Sequence, residues 1–225
     1  MAKQSIWLAT TPKPPLRIPN VVKAGPWVFA SGTMGGPVGG GLAPEVRGDP
    51  RLPLAGEAKG IRESRFIFRT IAAAFEKAST SLANGVWLNQ FVTGREHVDP
   101  YHEVRREFLK APRPCSTTVV QAGLLAPDAT VQMDMVAIDP ALAPPKEPIA
   151  TEKTPQPLTG AGYAQAIRVG DYIFVAGQVP TDFRTGIHPE AQVNPVFWEG
   201  SPIRRQTDYV LKNLALTLEA AGSGM

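Results

Sequence analysis

A single cysteine, Cys115, stands in 225 residues. It cannot close a disulfide within the chain, and it fits a reducing compartment. Histidine is scarce too, with His97, His102 and His188 alone. HEVRRE lacks the second histidine of a zinc helix and Cys115 stands in no CxxC, so no metal is expected. No apolar run nears the roughly 18 residues of a membrane helix, and the opening MAKQSIWLATTPKPP lacks the apolar core of a signal peptide. The expectation is a cytoplasmic protein away from membranes. Basic residues number 23 against 20 acidic ones, with no Lys/Arg block. The pI of about 9.1 is not matched by aromatics interleaved with basic residues, so charge and composition call for no nucleic acid. Gly35-Gly36-Pro37 and Gly39-Gly40-Gly41 suggest a phosphate loop, but no Gly-Lys-Ser/Thr follows and no helix starts there. A flexible loop is the better reading, and nothing in the composition asks for a cofactor.

What is present suffices for a packed core: 43% hydrophobic and 19% charged residues. Val21–Ala24 and Trp27–Ser31 flank Gly25-Pro26 as a hairpin, and a Gly/Pro-rich loop runs from Gly32 to Gly60. Ile61–Leu82 carries a helical stripe of Phe68, Ile71, Phe75, Ala78 and Leu82. Asn84-Gly85 stops it, and Val86–Thr93 reads as a strand. Asp99-Pro100 reads as a helix start with Asp99 as N-cap, followed by the stripe Tyr101, Val104 and Phe108. Thr117–Gln121 and Thr130–Ile138 are strands. The order is β-β-α-β-α-β-β, an α+β pattern of one sheet with two helices on one face.

Residues 1–16 read as a loose lead-in and 17–138 as a complete unit. Asp139–Gly160, with six prolines and no apolar period, reads as a semi-stiff linker. Residues 161–225 resemble the front of the first unit. Asn20–Met34 aligns with Gln165–Val179, so that Gly25, Phe29 and Gly32 fall on Gly170, Phe174 and Gly177. At the same offset Leu42-Ala43-Pro44-Glu45 and Pro50 match Ile187-His188-Pro189-Glu190 and Pro195. Phe68, Ile71, Phe75 and Ala78 match Leu211, Leu214, Leu218 and Ala221, two residues out of step. The second copy holds only its first helix. The expectation is a natural chain that continues, or a half-unit that completes itself against something else.

The stretch Phe108–Gln121, FLKAPRPCSTTVVQ, is the centre of chemical interest. Pro112 and Pro114 force an extended approach to a β-branched run headed by Cys115, Ser116, Thr117 and Thr118. Small polar groups at a strand mouth can hold a ligand, or can simply cap loose backbone groups. Ser116 has no ordered Ser–His–Asp partners in sequence. Cys115 reads as a small buried filler or a reactive thiol. His102 is either a surface histidine or an acid–base group with a pKa near neutral. Gln132 and Asp134 share one strand face, which is costly unless it lines a wet pocket, a subunit seam or an exposed sheet.

Together WVFASG, YIFVAGQVP, QTDYVLKNLALTLEAAG, DPYHEVRREFL and the PCSTTVVQAGL-to-VQMDMVAI ending resemble the reactive-intermediate deaminase family (Rid, or YjgF-like). The resemblance covers roughly 17–138 and the front half of a second unit. It implies a chorismate-mutase-like fold: a mixed sheet with two helices on one face. It also implies trimers with pockets at the seams, or a pseudo-trimer formed through the tandem repeat. The implied activity is hydrolysis of small enamines or imines to ketones and ammonia, without cofactor. The resemblance puts Ser116 where the family has a carboxylate-clamping arginine and Gln132 where it has a last-strand glutamate. His102 takes the place of a helix asparagine, and Ile18 that of an early tyrosine kept as Tyr163 in the second copy. The expected catalytic set is therefore Ser116, Gln132 and His102, with Gly32, Thr33, Arg113, Cys115 and Tyr163 binding substrate. Arg113 either reaches round to the space beside Ser116 or stays solvated. Because serine carries no charge and glutamine takes no proton, a non-catalytic small-molecule-binding or scaffold member of the fold is the alternative.

Overall fold

The computed structural model describes residues 3–8, 18–49, 51–52, 55–156, 162–194, 196 and 200–225. Most of the expected lead-in, and Pro50, Pro157 and Pro195, lie outside the described residues.

One mixed sheet organises the first unit. Its strands are β1 (Lys3–Ile6), β2 (Val21–Ala24), β3 (Trp27–Met34), β4 (Gly85–Val92), β5 (Cys115–Val120) and β6 (Val131–Ile138). They lie in the order β1-β2-β3-β6-β4-β5, with only β4–β5 parallel. Strand β1 was hidden in the lead-in because KQSI has no apolar alternation. It pairs with β2, and the Leu8 amide beyond it donates to Asn20 Oδ1 at 3.0 Å.

A short helix, α1 (Pro44–Arg47), interrupts the glycine-rich loop, and α2 (Lys59–Lys77) and α3 (Val98–Phe108) cover one face of the sheet. The α2 stripe packs as its period predicts: Ile67, Phe68, Ile71 and Phe75 are buried against Val28, Leu88, Met133 and Met135. The helix ends five residues before the expected Leu82. Ser79 turns left-handed at φ 62°, and the Thr80 amide returns to Phe75 O at 3.0 Å, closing the last turn. The expected cap is also displaced. His97 is the N-cap of α3, while Asp99 sits in the first turn, where its charge suits the helix dipole.

Period-two alternation sorts the strands' side chains. Leu88, Gln90 and Val92 of β4 and Val131, Met133 and Met135 of β6 face the helices. Trp87, Asn89 and Phe91, with Gln132, Asp134 and Val136, face the other way, onto what is here called the open face.

Beyond β6 comes a second antiparallel sheet, β7 (Glu147–Ile149), β8 (Ala166–Val169) and β9 (Tyr172–Val175), followed by α4 (Pro202–Ala220). Backbone details of this part match those of the first unit. The turns at Gly25 and Gly170 have φ 59° and 56°, a conformation that glycine adopts without strain. The Ser31 amide bonds Asn20 O at 2.9 Å, and the Ala176 amide bonds Gln165 O at 2.9 Å. The Ser223 amide closes α4 on Leu218 O just as Thr80 closes α2. Strand β7 pairs with β8 as β1 pairs with β2, and it lies within the stretch expected to be linker. Only the helix face differs. Ile203 and Leu211 of α4 stay 71% and 42% exposed, because among the described residues no strands equivalent to β4 and β6 lie beneath them.

The two sheets meet in a shared apolar cluster of Val86, Cys115, Ile138, Ile167 and Val169, with Trp27, Trp87 and Phe174 against it. Lys146 fastens the connector by donating to Gly85 O at 2.9 Å and Pro112 O at 2.7 Å. Burial lowers its pKa from 10.5 to about 8. Between those values the unfolded chain binds the proton that the folded chain has released. Stability from this group therefore rises with pH over that window. Urea midpoints compared at pH 7.5 and pH 9.5 should show that rise, and Lys146→Met should remove it.

Candidate functional site

Residues expected to form one pocket are distributed over two places. The first is the edge of β5. Register with β4 sets Ser116 beside Leu88 and Thr118 beside Gln90, so both hydroxyls point under the helices. There they join a polar chain that is buried at Arg105, Ser116 and Gln90. Arg105 Nη1 donates to Ser116 Oγ at 3.0 Å, and Ser116 Oγ donates to Gln90 Oε1 at 3.1 Å. Thr118 Oγ1 donates to the same amide oxygen at 2.7 Å. Arg105 is 2% exposed and Ser116 8%. The guanidinium carbon lies 5.4 Å from the centre of the Tyr101 ring, within cation–π range. Burial pushes the Tyr101 hydroxyl up to about 12. Burial first, and then the charge of Arg105, pull the half-buried His102 down to about 4, which leaves a neutral imidazole at neutral pH.

The second unit closes on this edge. Ala164 N donates to Pro114 O at 3.2 Å, and Gly177 N to Ser116 O at 3.1 Å. Cys115 Sγ donates to Phe174 O at 3.0 Å, and burial lifts its pKa to about 12, so the thiol is inert filler. A Cβ at Gly162 would lie 3.1 Å from Arg105 Nη2, so the second unit approaches the guanidinium with bare backbone. Tyr163 follows, half-buried against the same cluster. Arg113, expected either to reach round to this space or to stay solvated, instead donates to Leu109 O at 3.2 Å behind α3. Arg105 holds the place beside Ser116.

The second place is the counterpart of that docking patch in the first unit, and it is open. The β3–β6 register shifts between Ala30 and Thr33, so Ser31 and Gly32 bulge opposite Asp134. A Cβ on Gly32 would lie 2.8 Å from Gln132 Nε2. Asn89 Nδ2 donates to Asp134 Oδ1 at 3.0 Å, and burial raises the Asp134 pKa against that bond. From the helix side a cavity of about 900 Å³ reaches the same bulge, with Ile18, Ser31, Thr33, Phe66 and Arg69 in its walls. Thr33 Oγ1 itself donates to Ser31 O at 2.9 Å. By the repeat, Gly32 is the equivalent of Gly177 and Ile18 of Tyr163.

The expectation that Ser116, Gln132 and His102 line one pocket therefore needs correction: Ser116 points under the helices and Gln132 onto the open face. Alternation along a strand makes facing a matter of one residue of register, which motif matching does not fix. His102 and Ser116 do belong to one end of the molecule, with Tyr163 and Cys115. Gly32, Thr33 and Gln132 belong to the other group. Sequence reasoning missed Arg105, although its spacing from Tyr101 put both on one helix face. It also missed Asn89 and Gln90, whose roles depend on cross-strand partners. Among the described residues no group of three or more His, Cys, Asp or Glu residues is placed to hold a metal ion, and no helix is long and apolar enough to cross a membrane.

No family model matches the chain. A RutC family protein of Pyrococcus abyssi is 41% identical over 80 residues, which are 36% of this chain and 54% of that protein. The chain spans about half the length of the curated relatives it matches. Among solved structures, a protein of unknown function from Pseudomonas aeruginosa superposes with TM-score 0.52 at 24% identity, over 62% of this chain and 94% of its own. RidA from an Antarctic Psychrobacter aligns with TM-score 0.46 at 24% identity, over 60% of this chain and 98% of its own.

Proposed function

We propose that this chain, a homologue of RutC family proteins with the Rid fold, hydrolyses small reactive enamines or imines and releases ammonia, and that its working site is the Gly32 bulge. The observation that carries this reading is a contrast within one polypeptide. The docking patch around Gly177 is filled by β5 and backed by Arg105, whereas its copy around Gly32 opens on a cavity of about 900 Å³. The chemistry asks for little. A protonated C=N carbon is already electrophilic, so the site has to hold the substrate, place a water and move protons. On the cavity side the bulge presents Ser31, bare backbone at Gly32 and Thr33, and Arg69 stands exposed on the wall, a cation available to a substrate carboxylate. Gln132 and Asp134 lie beside the same bulge on the open face of the sheet. The joint also suggests a partner. An edge strand like β5, brought by another copy, would cover the open patch as β5 covers its twin, giving a trimer or pseudo-trimer.

A second reading has its own support. Serine and glutamine at positions 116 and 132 suit a protein that binds small molecules without turning them over. Ammonia release from freshly generated imines separates the two. Gly32→Val should cut kcat/KM at least tenfold, about 1.4 kcal/mol, by pushing into Gln132. Ser116→Ala should stay within about twofold if the joint is structural. Release no faster than in buffer, together with a thermal shift on adding small carboxylates, would favour the binding protein.

A further inference from the structure

We infer that the cavity beside the Gly32 bulge takes an elongated ligand with one anionic end and a long alkyl body, so that the preferred substrate is a long-chain imine. This rests on the hydrolase reading above and narrows it. The cavity wall follows α2 from Arg62 to Ala73, about 16 Å at the rise of a helix. Its volume of about 900 Å³ lies near the top of the range of about 300–1,000 Å³ usual for drug-sized ligands. A short imine would leave most of that space to water.

The two ends of the trough differ in chemistry. A Cβ on Gly35 would lie 2.8 Å from Glu63 Cγ, so the glycine-rich loop begins level with Glu63. Lys23, which pairs with Val28, donates to Ala78 O at 3.2 Å. Strand β3 and helix α2 therefore run in opposite directions. Gly32 precedes Gly35 by about 10 Å of extended chain, which matches about six or seven residues of helix. That brings Arg69 and Thr70 level with the bulge. Arg65 is paired with Glu57 and Glu107, and Arg62 spends its Nε on Val46 O at 3.1 Å. Arg69 is exposed and, among the described residues, forms no salt bridge. An anionic group therefore belongs at the bulge end. Toward α1 the walls turn apolar. Met34 and Leu42 are buried there, with Val38 and Phe66 packed against them. Glu45, exposed on α1, lines that end and disfavours an anion in it. The C=N group next to the anionic head then lies against Ser31 and Gly32, and the alkyl body runs toward Val38 and Leu42.

The test follows two quantities on the full chain. One is ammonia release from imines freshly generated by an amino-acid oxidase from straight-chain 2-amino acids of increasing length, against the rate in buffer. The other is calorimetric binding of saturated fatty acids of matching lengths, below their micelle concentrations. Both kcat/KM and affinity should rise about three- to fourfold per added methylene until the trough is full. Arg69→Gln should weaken fatty-acid binding about tenfold at every length. Val38→Trp narrows the apolar end and should flatten both slopes; if it does not fold, the unmodified chain and Arg69→Gln decide. Ammonia release that does not depend on length would overturn the ligand class and leave the hydrolase reading standing. Length-dependent binding with no ammonia above buffer would do the reverse. Slopes and affinities that neither variant changes would place the ligand elsewhere and overturn the inference.

Discussion

Arg105→Ala should lower the stability of the chain by about 3 kcal/mol, although it removes a charged side chain on which no motif depends. The side chain is 2% exposed, donates to Ser116 Oγ at 3.0 Å and lies over the Tyr101 ring. Removing it takes the donor away from a hydroxyl already committed to Gln90, strips the ring of its cation, and leaves a void beneath Gly162. A buried hydrogen bond to a charged group contributes roughly 1.5–3 kcal/mol, and the cavity adds to that. Arg105→Lys should recover little, because a compact ammonium cannot keep the planar fork that serves Ser116 and the Tyr101 face at once. Urea unfolding followed by circular dichroism measures this. A loss under about 1 kcal/mol would mean that the chain from Arg105 to Gln90 is not the pin of the joint. The same variant should still release ammonia at a rate within about threefold under conditions where it stays folded, since the Gly32 bulge lies in the other group of residues.

The architecture was legible because its signals are local. The α2 stripe, the glycine turns and the alternation in VQMDMVAI each report a backbone period that a single sequence displays. Gly25 and Gly170, aligned in the sequence, take nearly the same positive φ in their turns. Strands β1 and β7 were not visible. KQSI and EPI lack apolar alternation, and their place is set by pairing with β2 and β8 rather than by their own residues. The site was legible by residue but not by direction. Gly32, Gln132 and Ser116 were all marked as chemically interesting. Which face each would join depended on β4–β5 and β4–β6 registers that no spacing along the chain encodes. Arg105 escaped for the same reason. In VRRE one arginine is exposed and its neighbour is buried, and only the packing of α3 on β5 decides which.

Phe174→Ala and Phe29→Ala make the sharpest comparison, because the repeat makes them the same residue in two settings. Phe174 lies 5.5 Å from the Trp27 ring and 6.5 Å from Trp87, and its carbonyl takes the Cys115 thiol. Truncating it removes aromatic contacts at the centre of the joint and should lose about 2–3 kcal/mol, read as an earlier urea transition of tryptophan fluorescence. Phe29 is 42% exposed on the open face, and its loss in the isolated chain should stay under about 1 kcal/mol. Equal losses would mean that the second sheet does not rest on the first through Phe174. The comparison also reports on assembly. If another copy covers the patch around Gly32 as β5 covers Gly177, Phe29 becomes buried on association. Its alanine variant then loses more stability as protein concentration rises, while the loss at Phe174 stays constant.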